Sequence, residues 1–334
     1  MRLRIPRGAI PYLLLVPGIG WLLLFYVYPA IQLFLVSLWT GSIQQGYTQS
    51  WNFGIYAEGI SEYWPWIVRS AGYGGLATIA AFLLGYPLAY TIAFKGGRYK
   101  NILLFLVIAP FFTSFLLRTI SWKIILADNG LVLRPLKDAG LLPEDFRILA
   151  TPSAVIAGIT YNLLPFMTLP LYVALEKVDF RLLEAAKDLY AGPWRRGGAI
   201  AGAGLGALLG ALAAMVLGAD PIVPALAAGV VGAVVGAFLI SEAFVRVTFP
   251  LSLPGVFAGS LLTFIPAVGD FVNAELLGTA RTQMIGNVIQ GRFLEISDYP
   301  MASALSFILM AAILLGVLVY ARVLGTEELT GGRA

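Results

Sequence analysis

Residues 179–192 read DFRLLEAAKDLYAG, a short polar island between two strongly apolar runs. Wound as a helix, the stretch places Phe180, Leu183, Ala186 and Tyr190 on one face and Arg181, Glu184, Lys187 and Asp188 on the other. Asp179 is placed to accept from the free amides of the first turn. Gly192 tolerates left-handed backbone and Pro193 cannot continue a helix, so both ends are marked. An amphipathic helix between membrane spans either lies on the bilayer surface or docks into another protein. These residues alone leave both readings open.

The surrounding sequence makes the chain a membrane protein. Hydrophobic residues form 59% of the 334 and charged residues 12%, and several apolar runs exceed the roughly 20 residues needed to cross a bilayer. The expected fold class is all-α and polytopic, with residues 1–334 forming one transmembrane domain. Cys and His are both absent, which excludes disulfides, His/Cys metal sites, a Cys nucleophile and a Ser-His-Asp triad. No Gly-Lys dipeptide occurs, so a Walker A phosphate loop is absent as well. Ala267-Val268-Gly269-Asp270 approaches the Gly-x-Gly-Asp pattern of intramembrane aspartyl proteases, but lacks its first Gly and has no second Asp within a span. No catalytic residue, metal or cofactor is expected.

The first span is expected from Ala9 to about Trp39, preceded by Arg2, Arg4 and Arg7. An outer loop from Thr40 to Trp66, ending in an aromatic belt, leads to a second span at about Ile67–Phe94 and a third at about Ile102–Trp122. Arg118, sixteen residues into the third span and about 24 Å along it at 1.5 Å per residue, is expected to snorkel to the outer interface. In the next outer segment Asp128-Asn129-Gly130 reads as a turn and Pro143-Glu144-Asp145 as a helix start. The fourth span, about Ser153–Leu175, delivers the chain to the 179–192 helix. Gly198–Gly218 and Pro221–Ile240 are two uncharged segments with small residues every four positions, Gly198, Gly202, Gly206, Gly210 and then Ala228, Gly232, Gly236, which reads as a membrane hairpin. Further spans follow at about Leu251–Asp270 and Pro300–Leu324, separated by a polar stretch. Of the 22 Lys and Arg, 14 fall on the side holding both termini, which marks it as cytosolic. The net charge of +4 is thus sorted by side and carries no indication of nucleic acid.

Glu184-Ala185-Ala186 resembles the EAA loop of permease subunits of ABC importers, the cytosolic helix that docks on an ATPase. RVTFPLSLPGV (Arg246 to Val256) resembles the stretch that closes that loop, and Gly85-Tyr86-Pro87-Leu88-Ala89-Tyr90 a segment of the second core helix. Tyr190 stands where the family carries Gly, which moves the expected turn to Gly192. The 196–241 segment is an insertion between halves that the family joins directly. The stretch Phe264–Phe293 is similar to spermidine/putrescine permeases. The resemblance implies a six-helix core, here with an inserted two-helix hairpin and about eight spans. It also implies a 179–195 coupling helix acting through Glu184, Ala185, Ala186, Asp188 and Gly192, an ABC ATPase, a second permease subunit and an extracytoplasmic solute-binding protein, all at the cell inner membrane. A cationic cargo would suit Asp270 and Glu275 at the outer end of a span, with Phe264 and Phe271 offering aromatic faces. Asp270 reads equally well as a helix-end carboxylate. Another small organic solute or iron fits the same architecture. A gradient-driven secondary transporter would carry paired intramembrane charges or an inverted repeat, and the sequence has neither.

Overall fold

The computed structural model describes residues 10–189, 207, 229 and 244–324. Apart from Ala207 and Gly229, the expected hairpin lies outside the described residues, as do Tyr190 and Gly192. The described elements are α1 (Ile10–Leu22), a π-turn (Leu23–Val27), α2 (Tyr28–Ser37), strands β1 (Thr40–Ser42) and β2 (Gly46–Thr48), α3 (Gly54–Lys95), α4 (Lys100–Ile108) and α5 (Phe115–Ile125). Then come α6 (Leu133–Asp138), α7 (Pro152–Glu176), α8 (Phe180–Leu189), a second π-turn (Phe244–Thr248), α9 (Phe249–Val268), α10 (Val272–Leu277), α11 (Ile285–Leu294) and α12 (Tyr299–Leu324). Among the described residues five helices are long and apolar enough to cross a membrane, and a bent pair supplies a sixth crossing if counted as one span. The chain is therefore the helical polytopic protein expected.

Four expectations change. The second span starts earlier, because α3 begins at Gly54 and runs for 42 residues. Ile55, Gly59, Tyr63, Ile67, Ser70, Tyr73, Ala77 and Ala81 are buried along it at steps of three and four, one continuous helical face that takes in the aromatic belt. What remains of the expected loop is the β1-β2 hairpin, paired antiparallel with Gly41 opposite Tyr47. The third span is not straight: Gly97–Phe112 and Phe115–Ile125 meet at 93°. Pro110 lies in a 3-10 turn over Ala109–Phe112, and Thr113 is extended (φ −105°, ψ 148°), which ends the helix before α5 starts. The straight 24 Å path for Arg118 accordingly fails. Its Nε and Nη1 are buried without a hydrogen-bond partner, and the guanidinium lies 5.7 and 5.9 Å from the Phe111 and Phe115 ring centroids. Finally, Glu144 and Asp145 form a turn, and the outer-segment helix is α6.

The chain divides into two compact units. The first takes residues up to Pro65 together with Val288–Ala312. Here Tyr56 donates to Ser37, whose own hydroxyl donates to Phe34 O, and the Tyr47 hydroxyl donates to Ser297 O. Burial, then the nearby Asp298 charge, pushes the Tyr47 phenol above its ordinary range, so it remains a donor. Arg292 pairs with Asp298 at 3.0 Å and Glu62 at 3.3 Å.

The second unit, Trp66–Asn287 with Ile313–Ala334, holds most of the membrane core. Gly255 and Gly259 bring α9 against α7. A Cβ at Gly255 would sit 2.5 Å from Ala174 Cβ and 2.8 Å from Pro170 O, and one at Gly259 2.9 Å from Met167 Sδ. As the numbers rise along α9 they fall along α7, so the two helices are antiparallel. By the same test α3 runs parallel to α7 (Gly85 against Thr168, Ala77 O bonded by Thr160) and antiparallel to α9 (Tyr86 to Ser252, Gly74 against Val268). The later half of α12 is antiparallel to α9 (Phe264 against Gly316, Phe257 stacked on Tyr320). The ends at Lys95, Glu176, Thr248 and Tyr320 therefore share one membrane side, the sidedness expected from charge. Lys100 Nζ ties this side to Glu176 at 2.6 Å.

Candidate functional site

The amphipathic helix starts where its sequence marks it. Asp179 Oδ1 accepts from the Arg181 amide at 2.9 Å, and Asp179 O from the Leu182 amide at 3.0 Å, the satisfaction of first-turn donors that a cap provides. Leu183 turns inward and is 2% exposed, while Arg181, Leu182, Glu184 and Ala185 are exposed. α8 lies beside the Phe244–Thr248 π-turn, so the two stretches expected to form one loop meet in space across the 54 intervening residues. Ala186 and Asp188 are in the helix, their side chains outside the described set, as is Gly192.

From the start of this helix a groove of about 780 Å³ runs between α7 and α9. Lys177, Asp179 and Leu182 stand at one end. Phe166, Leu169, Pro170, Val173, Leu251, Pro254 and Leu262 form apolar walls. Prolines at 165, 170, 254 and 266 interrupt the ladders of both helices and so leave local points of bending. The opposite side of the π-turn is an aromatic knot: Tyr86, fully buried, packs its ring 5.3 Å from Phe244 and 6.2 Å from Phe249. Ser252 uses its proton on Phe249 O at 2.8 Å, so Tyr86 is the donor in their 2.7 Å bond.

The four pathway candidates do not form one cluster. Asp270 is half-buried and caps α10: Oδ1 accepts from the Asn273 backbone N–H and Oδ2 from Asn273 Nδ2, each at 2.8 Å. Phe264 faces Gly316 on α12, whereas Phe271 and Glu275 are exposed at the start of α10. The polar group that the fold does assemble links three elements. Asn162 Nδ2 donates to Asn273 Oδ1 at 3.1 Å and to Thr119 Oγ1 at 3.2 Å, and all three residues are buried. Asn162 stands in mid-span between Tyr161 and Leu163, where an amide is costly unless partnered. That cost is the one signal of this group that the sequence carries.

No family model matches the chain. It is 35% identical over 304 residues to the spermidine/putrescine transport system permease protein PotB of Haemophilus influenzae, covering 91% of this chain and 90% of the relative. It is 33% identical over 310 residues to PotB of Escherichia coli K12, covering 92% and 96%. The inner membrane ABC transporter permease protein YdcU of Escherichia coli is 27% identical over 72% of this chain and 66% of its own. Among solved structures, a bacterial ABC transporter involved in the import of the acidic polysaccharide alginate superposes with a TM-score of 0.62 over 95% of this chain and 96% of its own, at 17% identity, and so speaks for the fold alone. With identity above 30% along nine-tenths of both chains, the protein belongs to the family of spermidine/putrescine transport system permease proteins, PotB, within the ABC transporter permeases.

Proposed function

We propose that the protein is the membrane permease of an ABC importer for polyamines of the spermidine/putrescine class. The single observation carrying the reading is the juxtaposition at α8: a capped helix with Glu184 exposed stands at the mouth of an apolar groove between two proline-interrupted helices. Movement of α8 by a partner is thereby passed straight to the groove walls. The relatives' names supply the cargo.

A separate ATPase binds the α8 side through Glu184, Ala185, Ala186, Asp188 and Gly192, whose small and acidic side chains fit a groove on that partner. This side is the cytosolic one, with both termini on it and the 196–241 insertion crossing the bilayer twice. A second permease subunit closes the open side of the α7/α9 groove. A solute-binding protein delivers cargo to the opposite membrane side, near Asp270, Glu275, Phe264 and Phe271, and the bilayer covers the remaining apolar faces. Energy from ATP, drawn from outside the chain, agrees with the missing phosphate loop.

The test is reconstitution of the permease with its ATPase and binding protein, followed by a screen of solutes for stimulated ATP hydrolysis. Stimulation by spermidine or putrescine supports the reading. Stimulation by an anionic sugar or a neutral amino acid, with none by polyamines, refutes the cargo.

A further inference from the structure

The hydrogen bonds that join Asp270, Asn273 and Asn162 run in one direction. A carboxylate only accepts, so Asp270 forces Asn273 to turn Nδ2 toward it, at 2.8 Å. Asn273 Oδ1 is left facing α5 and α7, where it accepts from Thr119 Oγ1 at 3.3 Å and from Asn162 Nδ2 at 3.1 Å. This orients the Asn162 amide in turn. Its Nδ2 is committed to Asn273 and Thr119, and its Oδ1 is buried without a donor. Flipping Asn162 alone would oppose two carbonyl oxygens, and flipping both amides would set an oxygen against the Asp270 carboxylate. The negative end of Asp270 is thus relayed through two amides to Asn162 Oδ1, in a residue that is 2% exposed. An acceptor in apolar surroundings calls for a donor.

Its place on α7 indicates which donor. Residues 162, 166, 169 and 173 follow at steps of four, three and four, a single stripe of a helix, and Phe166, Leu169 and Val173 line the groove. Asn162 is the next member of that stripe, one turn or about 6 Å beyond the last groove-lining turn. The Phe166 ring, edge-on to Phe111 at 5.1 Å, stands at the boundary.

Taking the polyamine reading as its basis, we propose that Asn162 Oδ1 receives a cargo ammonium one turn beyond the Phe166 end of the groove, with Asp270 and Asn273 as positioning residues that hold the amide's polarity. An ammonium brings three donors and no acceptor, the complement of what the relay presents. A neutral carbonyl oxygen attracts it without the hold of a full charge, which suits a site that must release what it binds. The Phe166 face adds cation-π attraction on the way. Arg118, whose guanidinium lies 5.7 Å from the Phe111 ring centroid, opposes a second ammonium there.

The experiment uses the full importer in proteoliposomes with labelled spermidine. Asn162→Leu removes the acceptor at similar volume and raises the half-saturating concentration for spermidine at least tenfold. Asp270→Asn frees the relay to flip and shifts the same parameter in the same direction. Asn162→Asp keeps an acceptor at this position but sets it against Asn273 Oδ1, so its uptake recovers when Asp270→Asn is added, which lets Asn273 turn its Nδ2 toward residue 162. Parent-like uptake by Asn162→Leu overturns the proposal. So does a parallel fall of thermal stability and uptake in both Asn162 variants, which would make the amide a tie between helices. A parent complex that carries no polyamine refutes the cargo reading. If the solute it does carry is neutral or anionic, this proposal falls with it, and if that solute is another cation, Asn162→Leu must still weaken its uptake tenfold.

Discussion

Adding one methyl group at Gly255 probes the contact on which the groove is built. The new Cβ would lie 2.5 Å from Ala174 Cβ, 2.8 Å from Pro170 O and 3.2 Å from Leu171 Cα. Ordinary carbon contacts fall at roughly 3.5–4.0 Å, so α7 and α9 must part by about 1 Å, and two of the three obstructing atoms are backbone that cannot rotate away. Overpacking of this kind costs about 1–3 kcal/mol. Any Gly→Ala change inside a helix also gains about 1 kcal/mol of helix propensity. Gly72 separates the two effects, since it is interior to α3 and nothing lies within 4 Å of its added Cβ. Gly72→Ala should be neutral or slightly stabilising, and Gly255→Ala should fall below it by about 1–3 kcal/mol, the overpacking cost itself. The assay is reversible unfolding of the purified permease in detergent micelles, followed by the tryptophan signal, with both variants measured beside the parent. Gly255→Val, which adds bulk at the same point, should fail to accumulate in the membrane. Equal stability of Gly255→Ala and Gly72→Ala would refute the close α7/α9 packing and the groove geometry drawn from it.

Glu184→Lys reverses an exposed charge on α8, where ion pairs are worth about 0–1 kcal/mol. Membrane levels should stay normal while ATPase co-purification and transport are lost together, and survival of both would remove α8 from coupling. Asp179→Ala deletes the cap on the Arg181 amide and should loosen the helix start by about 0.5–2 kcal/mol, seen as faster amide exchange at Arg181 and Leu182; unchanged exchange would show the cap to be idle. For the inserted segment, single cysteines at Asp220 and Lys187 in this cysteine-free chain should react with an impermeant maleimide from opposite sides of the membrane, whereas labelling from the same side excludes a hairpin.

Local chemistry was readable and assembled chemistry was not. The α7 boundaries, the start of α8 and the Asp179 cap follow from residues within a few positions of one another, which is why the sequence marks them. The early start of α3 was missed because Trp and Tyr at a membrane interface satisfy two descriptions, belt and buried face. Only the four-residue spacing of Ile55, Gly59, Tyr63 and Ile67 separates them. The 93° bend needs Pro110 and the extended Thr113 together, and a proline alone does not announce it. Gly255 and Gly259 carry the same four-residue spacing as the stripes at 198–210, but their effect depends on Ala174 and Met167, 81 and 92 residues earlier in the chain. Thr119, Asn162 and Asn273 come from three elements, and no spacing rule joins them. Asp270 was legible as a carboxylate near a helix end, whereas its bonds to Asn273 required the α10 turn.

The central claim, an ATP-driven polyamine permease, is tested most directly by labelled spermidine uptake into proteoliposomes holding the permease with its ATPase and binding protein, with no ion gradient imposed. The account predicts accumulation that requires both ATP on the α8 side and binding protein on the other, and that stops in Glu184→Lys. Uptake driven by an ion gradient in the permease alone, without ATP, would contradict it.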